Sequence, residues 1–493
     1  MSSGAEVDMK DVELNELEQD KQLMPSPGEE PSVEKNGCVA VKLPEEVEAK
    51  FTGLSKEELM KVAGTPGWVR IRWALLILFW LAWIGMLVGA IVIVVQAPRC
   101  KSLPSRQWWQ KGAIYQISNE FLDSKEVVES IDYLSQLKVK SLIVGPIPQV
   151  YSSGSTIGSN ENLTNFQKVA QMKGLKVVLD ITPNNDVDDP WINISSIYKQ
   201  NKFKSNFENW LKDGIDGIMV SEVETIQNNA SLLWEELKNL TSQYSTEAKP
   251  RILIGVTSSK DLEEIVKAGN QSGVDLLLSG VLHILGKAPT GSEVALNVER
   301  YITGLGTAWP LWSVGSRTVG HLASLVEERL VKIYQMMLFT LPGTPFTNYG
   351  DEIGLQDLVE KDQNSKLPMM LWDNSNSSVM AQTQDTNSML NLYKQLSDLK
   401  LKDRSLQYGD FYPIVHNASI YAYLREWDQS ERFLTVLNFG DLKTKVSLIH
   451  NKLPAEASVA ISTYSQRNES SVNLADFTLE PNEGLLLRFP YVY

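Results

Sequence analysis

At 493 residues the chain has room for two or three folded units around a sizeable core. Its 46 Lys and Arg against 60 Asp and Glu leave a formal charge of −14, and nothing resembles the basic footprint of a nucleic-acid binder. That balance excludes nucleic acid as a partner, because a phosphate backbone repels such a surface.

In chain order, residues 1 to about 50 are acidic and nearly devoid of aromatic side chains, with Pro25, Pro27 and Pro31. Such a composition buries too little apolar surface to fold by itself, so a disordered tail is expected. A short helix is predicted near 55–63. Ser55 and Glu58 form a capping box, and Gly64 ends the helix before Pro66-Gly67. Its LSKEELMKVAG pattern is amphipathic, which suits a partner or the inner membrane surface, and suits a solvated helical turn equally well.

From Trp73 to Val95 the chain reads WALLILFWLAWIGMLVGAIVIVV, without a charge. That is long enough to cross the ~30 Å hydrocarbon layer as a helix. It follows a polar segment of about 70 residues and is too long for a cleaved signal peptide, so it reads as a signal anchor. Basic residues flank both ends (Lys61, Arg70 and Arg72; Arg99, Lys101, Arg106 and Lys111) and leave orientation undecided. The N-x-S/T sequons begin at Asn162, Asn193, Asn229, Asn239, Asn270, Asn376, Asn417 and Asn468, all beyond the span. Their distribution favours a single-pass type II glycoprotein with its N-terminus in the cytosol. Within the span, Gly85 and Gly89 form a G-x-x-x-G pair that lets a neighbouring helix approach closely.

With that topology, Cys38 is cytosolic and Cys100 external, so the two cysteines do not pair with each other. An odd external cysteine points to an intermolecular disulfide, a free thiol or an acylated juxtamembrane residue. The position of Cys100, five residues past the span, favours the first. A neck, 96–107, then leads to the main domain.

Over 108–405, short apolar runs alternate with amphipathic stretches. The strand candidates are AIYQI (113–117), SLIVG (141–145), KVVLDI (176–181), GIMV (217–220), ILIGV (252–256), DLLLSG (275–280), PLWSV (310–314) and PFTNYG (345–350). Segments between them, such as SKEVVESIDYLSQLK and SKDLEEIVKAG, have helical period and Ser at their starts. This alternation predicts a parallel sheet closed into a (β/α)8 TIM barrel. From 406 to 493 the runs SIYAYLREW, RFLTVLNFG, KVSLIH and GLLLRF alternate without helices, which predicts an antiparallel β-domain.

These segments carry a resemblance. WWQKGAIYQI (108–117) is similar to the first barrel strand of the α-amylase family of glycoside hydrolases. MLFTLPGTPFTNYGDEIGL (337–355) resembles that family's eighth strand, and YAYLREW…FLTVLNFG its C-terminal β-domain. The resemblance implies a retaining glycosidase scaffold, whose chemistry needs two carboxylates on opposite faces of the scissile bond. At the positions where the family carries its machinery, this chain departs. After the third strand, DITPNN keeps Asp180 and Asn184 but has Asn185 in place of a histidine. In the fourth, Met219 stands for the arginine and Ser221 for the nucleophilic aspartate. In the fifth, Val256 follows Gly255 where the acid/base glutamate is expected, and the seventh reads WSVGSR (312–317) in place of N-H-D. His283, His321, His416 and His450 fall on no motif position. Glu222 is expected to point away from Ser221, and Glu224 to lie in the following loop, so neither replaces the nucleophile. The family's inserted domain after the third strand is also missing, with only Pro183 to Asn206 in its place.

The anchor, the juxtamembrane cysteine, the barrel without catalytic residues and the segment EELMKVAGTPGWVRIRWALLILFWLAWIGML together resemble the heavy chains of heteromeric amino-acid transporters, in their cell-surface antigen branch. That resemblance implies an ancillary subunit at the plasma membrane, without catalysis, cofactor or metal. It implies a disulfide from Cys100 to a multi-spanning light chain, and association with integrin β-subunits. The alternative is a sugar-binding or adhesion receptor, with Trp191 and Trp210 available to stack on a sugar in the vestigial cleft.

Overall fold

The computed structural model describes residues 55–96, 100–118, 127–146, 161–181, 197–306, 308–359, 365–366, 370, 377–467 and 469–491. The chain divides into two units at Pro98, each described by itself.

In the first unit, helix Lys56–Ala63 begins with the predicted capping box. The Ser55 Oγ accepts from the Glu58 amide at 3.4 Å, and the Ser55 amide donates to Glu58 Oε2 at 3.2 Å. Gly64 caps its end. Pro66 opens the next helix, Pro66–Gln96. The first turn of a helix has no use for the N–H that proline lacks, and its fixed φ suits that position. At ~1.5 Å per residue these 31 residues span about 46 Å, longer than the ~30 Å hydrocarbon layer. Arg70 and Arg72 ride on the extra turns ahead of the apolar run. The helix is apolar all round, and none of its residues is buried.

The second unit contains eight strands in parallel: β1 Ile114–Ser118, β2 Ser141–Gly145, β3 Lys176–Asp180, β4 Gly217–Val220, β5 Ile252–Val256, β6 Leu276–Leu278, β7 Leu311–Trp312 and β8 Thr344–Asn348. Each hydrogen-bonds to its sequence neighbour from β1 to β6; β8 joins β1 on one side and β7 on the other. This is the predicted (β/α)8 barrel, with the β6–β7 seam as the one place where no ladder forms among the described residues. β6 and β7 are shorter than the runs DLLLSG and PLWSV predict. Gly280 lies just past β6 and Pro310 just before β7, and neither residue type favours a continued ladder.

Strands buried on both faces read as continuous apolar runs, which is why they stood out in the sequence. One face fills the barrel interior with Ile114, Ile143, Val178, Met219, Ile254 and Phe346. The other packs under the helices. The helices are also close to expectation, with one correction: helix Leu262–Gln271 is capped by Asp261, whose carboxylate accepts from the amides of Glu263 and Glu264, and not by a serine. Ser258 and Ser259 lie in the loop before it.

Strands β9 (Leu358–Val359) and β10 (Ser365–Lys366) form a short antiparallel pair after the barrel. The C-terminal region is an antiparallel sheet in the order β11 (Asp410–His416), β12 (Ile420–Glu426), β13 (Arg432–Asn438), β18 (Gly484–Phe489), β15 (Glu456–Ser462), β16 (Ser471–Asn473). β14 (Thr444–Val446) pairs with β17 (Phe477–Leu479) beside it. A short helix, Arg404–Tyr408, bridges the predicted change of pattern near residue 406. Tyr421 and Tyr423 of β12 belong to the same buried cluster as Tyr334 and Phe339 of helix Val331–Thr340. The sheet and barrel therefore share a core.

Candidate functional site

Catalysis on this barrel type takes place at the C-terminal ends of the strands. β4 begins at Gly217, where a Cβ would sit 2.2 Å from the Ile252 side chain, so only glycine lets β4 and β5 close at that level. Two residues on, Met219 is 2% exposed and packs inside the barrel. An apolar thioether fills the place where the resemblance expects an arginine. Ser221 follows β4 and is buried. Glu222 is in the left-handed conformation, with φ 54°. That breaks the strand alternation, so Glu222 lines the same cleft as Ser221 and does not point away from it as the strand period predicts. Its Oε2 accepts from Thr225 Oγ1 at 3.2 Å, turned back onto its own chain. Glu224 sits in helix Val223–Asn229, not in a loop, and its Oε1 is buried without a hydrogen-bond partner among the described residues. Val256 ends β5 half-buried against the interior cluster.

At the end of β3, Asp180 is fully buried. Its Oδ2 accepts from Gln116 Nε2 of β1 at 3.1 Å and from Arg317 Nε at 3.2 Å. The Arg317 amide in turn donates to Gln116 Oε1 at 3.0 Å. Gly145, the last residue of β2, makes room for this knot, since a Cβ there would lie 2.3 Å from the Asp180 Cβ. Arg317 was missed in the sequence. The only signal was an arginine in WSVGSR, where the glycosidase pattern puts acid. Asn184, Asn185 and Trp191 lie outside the described residues. Trp210 belongs to helix Ile197–Lys212, where it is buried in the core and has no face open to a ligand.

The cleft itself, about 400 Å³, opens over the unpaired seam between β6 and β7 and reaches across to Ser221 and Val256. Hydroxyls dominate its wall: Ser221, Thr257, Ser259, Ser313, Ser316 and Thr318. Lys260 and His283 also line it. Burial and then the nearby Lys260 charge hold the His283 imidazole below its usual pKa, favouring its neutral form. Glu222 is the only carboxylate on this wall among the described residues. One carboxylate cannot act on both faces of a glycosidic bond, and a serine without an adjacent base is a poor nucleophile. No group of three or more His, Cys, Asp or Glu able to hold a metal occurs among the described residues.

The segment after β8 has kept its acids. Asp351 and Glu352 are buried, and Glu352 Oε1 accepts from Tyr115 at 2.9 Å and Tyr133 at 2.8 Å. Asp351 Oδ1 accepts from the Leu322 amide at 2.8 Å, and His321 Nδ1 lies 2.6 Å from Asp357 Oδ1. Burial pushes the Asp351 carboxyl up to about 7, against the pull of His321 and of two amides. Burial also lowers the His321 pKa, but Asp357 and Asp351 outweigh it and leave the imidazole above its usual value.

Outside the barrel mouth, Cys100 is exposed and, among the described residues, unpaired. Its Sγ is 4.0 Å from Gln429 Oε1, and the next amide, of Lys101, donates to Asp428 Oδ2 at 2.9 Å. The β12–β13 turn thus holds the start of the neck. Among the sequons, Asn229, Asn239, Asn270 and Asn417 are exposed. Asn270 Nδ2 already donates to Gly304 O at 2.8 Å, and Asn417 Oδ1 caps its own turn. Asn162 is in helix Glu161–Met172, while Asn193, Asn376 and Asn468 lie outside the described residues. Gly85 and Gly89 stand on one face of their helix, with open space where a Cβ would be. Cys38 is outside the described residues.

Comparison with known proteins agrees with this architecture. The family model for the solute carrier family 3 member 2 N-terminus matches residues 40–115. The amino acid transporter heavy chain SLC3A2 of Oryctolagus cuniculus is 42% identical over the whole of both chains. The heavy chain SLC3A1 of Mus musculus is 26% identical over 94% of this chain and 90% of its own. Among solved structures, the isomaltulose synthase PalI of Klebsiella sp. LX3 superposes with a TM-score of 0.60 at 14% identity, over 78% of this chain and all of its own. That likeness carries the barrel-plus-sheet fold and no more. Full-length identity to the SLC3A2 chains decides the rest: the chain belongs to the amino acid transporter heavy chain family SLC3A2.

Proposed function

We propose that the chain is an ancillary subunit, disulfide-bonded through Cys100 to a multi-spanning amino-acid transporter light chain that it stabilises and brings to the plasma membrane. In this reading helix Pro66–Gln96 crosses the membrane once, with the N-terminus cytosolic and the barrel external. The observation that carries it is the exposed, unpaired Cys100, tethered by the Asp428–Gln429 turn a few residues after an unburied apolar helix. A thiol so placed is open to a partner's membrane-proximal loop. The relatives' names, amino acid transporter heavy chain, support the same reading. Gly85 and Gly89 offer the partner a close helix contact. Association with integrin β-subunits through span and tail belongs to this proposal, and its test is co-precipitation lost when helix Pro66–Gln96 is replaced.

The barrel does no glycoside hydrolysis in this account, because Ser221 just after β4 and Val256 at the end of β5 stand where the two carboxylates are needed. The testing experiment is a non-reducing gel of full-length protein from cells: Cys100→Ser removes a reducible high-mass complex. Persistence of that complex in the variant defeats the covalent claim. The second reading, a sugar-binding receptor, is favoured by the hydroxyl-lined cleft. A glycan array on which the chain shows no binding removes it.

A further inference from the structure

Two adjacent strand ends build one corner of the cleft. Thr257 carries the β5–β6 ladder one residue past β5, its amide donating to Leu278 O at 3.0 Å. Its Oγ1 accepts from the Ser259 amide at 3.1 Å. Ser259 Oγ accepts from the Asp261 amide at 3.1 Å and donates to Glu264 Oε2 at 2.7 Å. Lys260 therefore sits in a loop held on both sides, and it lines the cleft. Just past β6, the amides of His283 and Ile284 both donate to Gly280 O, at 2.8 and 3.0 Å, and this turn sets His283 on the same wall.

The polar ends of this corner are unspent. Lys260 forms no ion pair or hydrogen bond among the described residues, because the nearby acids are engaged: Asp261 caps helix Leu262–Gln271 and Glu264 holds Ser259. His283 Nδ1 is buried without a partner among the described residues, which leaves Nε2 as the nitrogen that meets the cleft. The Lys260 charge is near enough to act on the imidazole, and among the described residues no carboxylate does so. Glu222, on the same wall, is turned back onto Thr225. Ser221, 8% exposed, lines the cleft with a hydroxyl that has no partner among the described residues. A concave wall with a cation and no opposing acid beside it concentrates anions. The described lining holds no Phe, Tyr or Trp, so a neutral sugar finds no large ring to stack on, and charge has to carry the affinity. We infer that the cleft binds a small tetrahedral oxyanion, phosphate or sulfate, on Lys260 Nζ and His283 Nε2. The ion comes free or as the ester of a sugar, whose own hydroxyls the serine and threonine wall can meet.

The test uses the full chain in a neutral maltoside detergent and a near-neutral chloride buffer, with binding read by isothermal titration calorimetry. Inorganic phosphate, glucose-6-phosphate and glucose are the probes. At least one of the two anions is expected to bind saturably. Tighter binding of the sugar phosphate identifies an ester as the source, and equal or tighter binding of inorganic phosphate identifies the free ion. Lys260→Gln, at an exposed position that the fold does not need, should weaken the anion about tenfold or more, and so should His283→Leu. Glu222→Gln should not weaken it. Binding by neither anion, unchanged affinity in Lys260→Gln or in His283→Leu, or weaker binding in Glu222→Gln overturns the inference. Glucose that binds as tightly as its phosphate overturns it too, but leaves the sugar-binding reading standing.

Discussion

The ends of β4 and β8 are two parts of one barrel rim, and they have been treated in opposite ways. At β4, the positions that would perform glycoside chemistry hold Met219, drawn into the interior, and Ser221. At β8, Asp351 and Glu352 remain, fully enclosed and bound to backbone amides and tyrosine hydroxyls. The difference teaches that acids persist here where they hold elements together. A carboxylate that satisfies several donors costs far more to remove than one facing a cleft. Asp180 lies between the two cases: it stands on the rim, but Gln116 and Arg317 occupy it.

The largest expected effect is at β8. Glu352→Ala leaves the Tyr115 and Tyr133 hydroxyls buried without an acceptor, and should cost about 3 kcal/mol or more in denaturant unfolding. Glu352→Gln, which keeps an acceptor oxygen, should cost well under half of that. Equal losses in the two variants would break the assignment of Glu352 as an acceptor.

Arg317→Ala should come next, at about 2 kcal/mol, because it strands the buried Asp180 charge while Gln116 still donates to it. Combining it with Asp180→Asn should recover most of the loss. If the double variant is merely additive, the pair is not coupled.

A smaller, pH-dependent effect follows from Asp351 and His321. Both are raised in the folded chain, so the folded state holds protons that the unfolded state has released. Stability from Asp351 is fully present below its unfolded value near ~3.9 and is lost as the pH rises through about 7. His321 adds in the same direction, from its ordinary value of ~6.5 upward. Stability should therefore fall between pH 5 and 8, by at most about 1.4 kcal/mol per pH unit for each group, and Asp351→Asn should flatten the curve. A curve that rises over this range in the wild type would contradict the assignment.

The smallest expected effect sharpens the comparison from the β4 side. Ser221→Asp, alone or with Val256→Glu, should give no detectable turnover of an aryl glucoside, since Met219 and Arg317 still shape the rim. Turnover in either variant would show that the rest of the machinery had been kept.

Much of this was legible without coordinates. The apolar helix, the eight runs of the barrel and three of the C-terminal strands, β12, β13 and β18, announce themselves because burial on both faces of a strand, or immersion in lipid, leaves a nearly unbroken apolar run. β11, β15, β16 and β17 were less visible. β11 and β15 show mixed burial and β16 and β17 are three residues long, so no period can build up. The departures at Met219, Ser221 and Val256 were also readable, because a resemblance assigns a residue type to each strand end.

Sequence by itself thus determined the class of each segment, the single apolar span, the lone cysteine beside it and the residue types at the strand ends, since these follow from composition and period. Tertiary structure decided which groups meet. Only it brings Arg317 from after β7 onto Asp180, and Gln429 from the C-terminal sheet beside Cys100. It also turns Glu222 into the cleft through one left-handed residue, and gathers Ser221, His283 and Thr318 from three distant segments into one cleft. Those contacts join residues far apart in the chain, and a local pattern carries no record of them until the barrel closes.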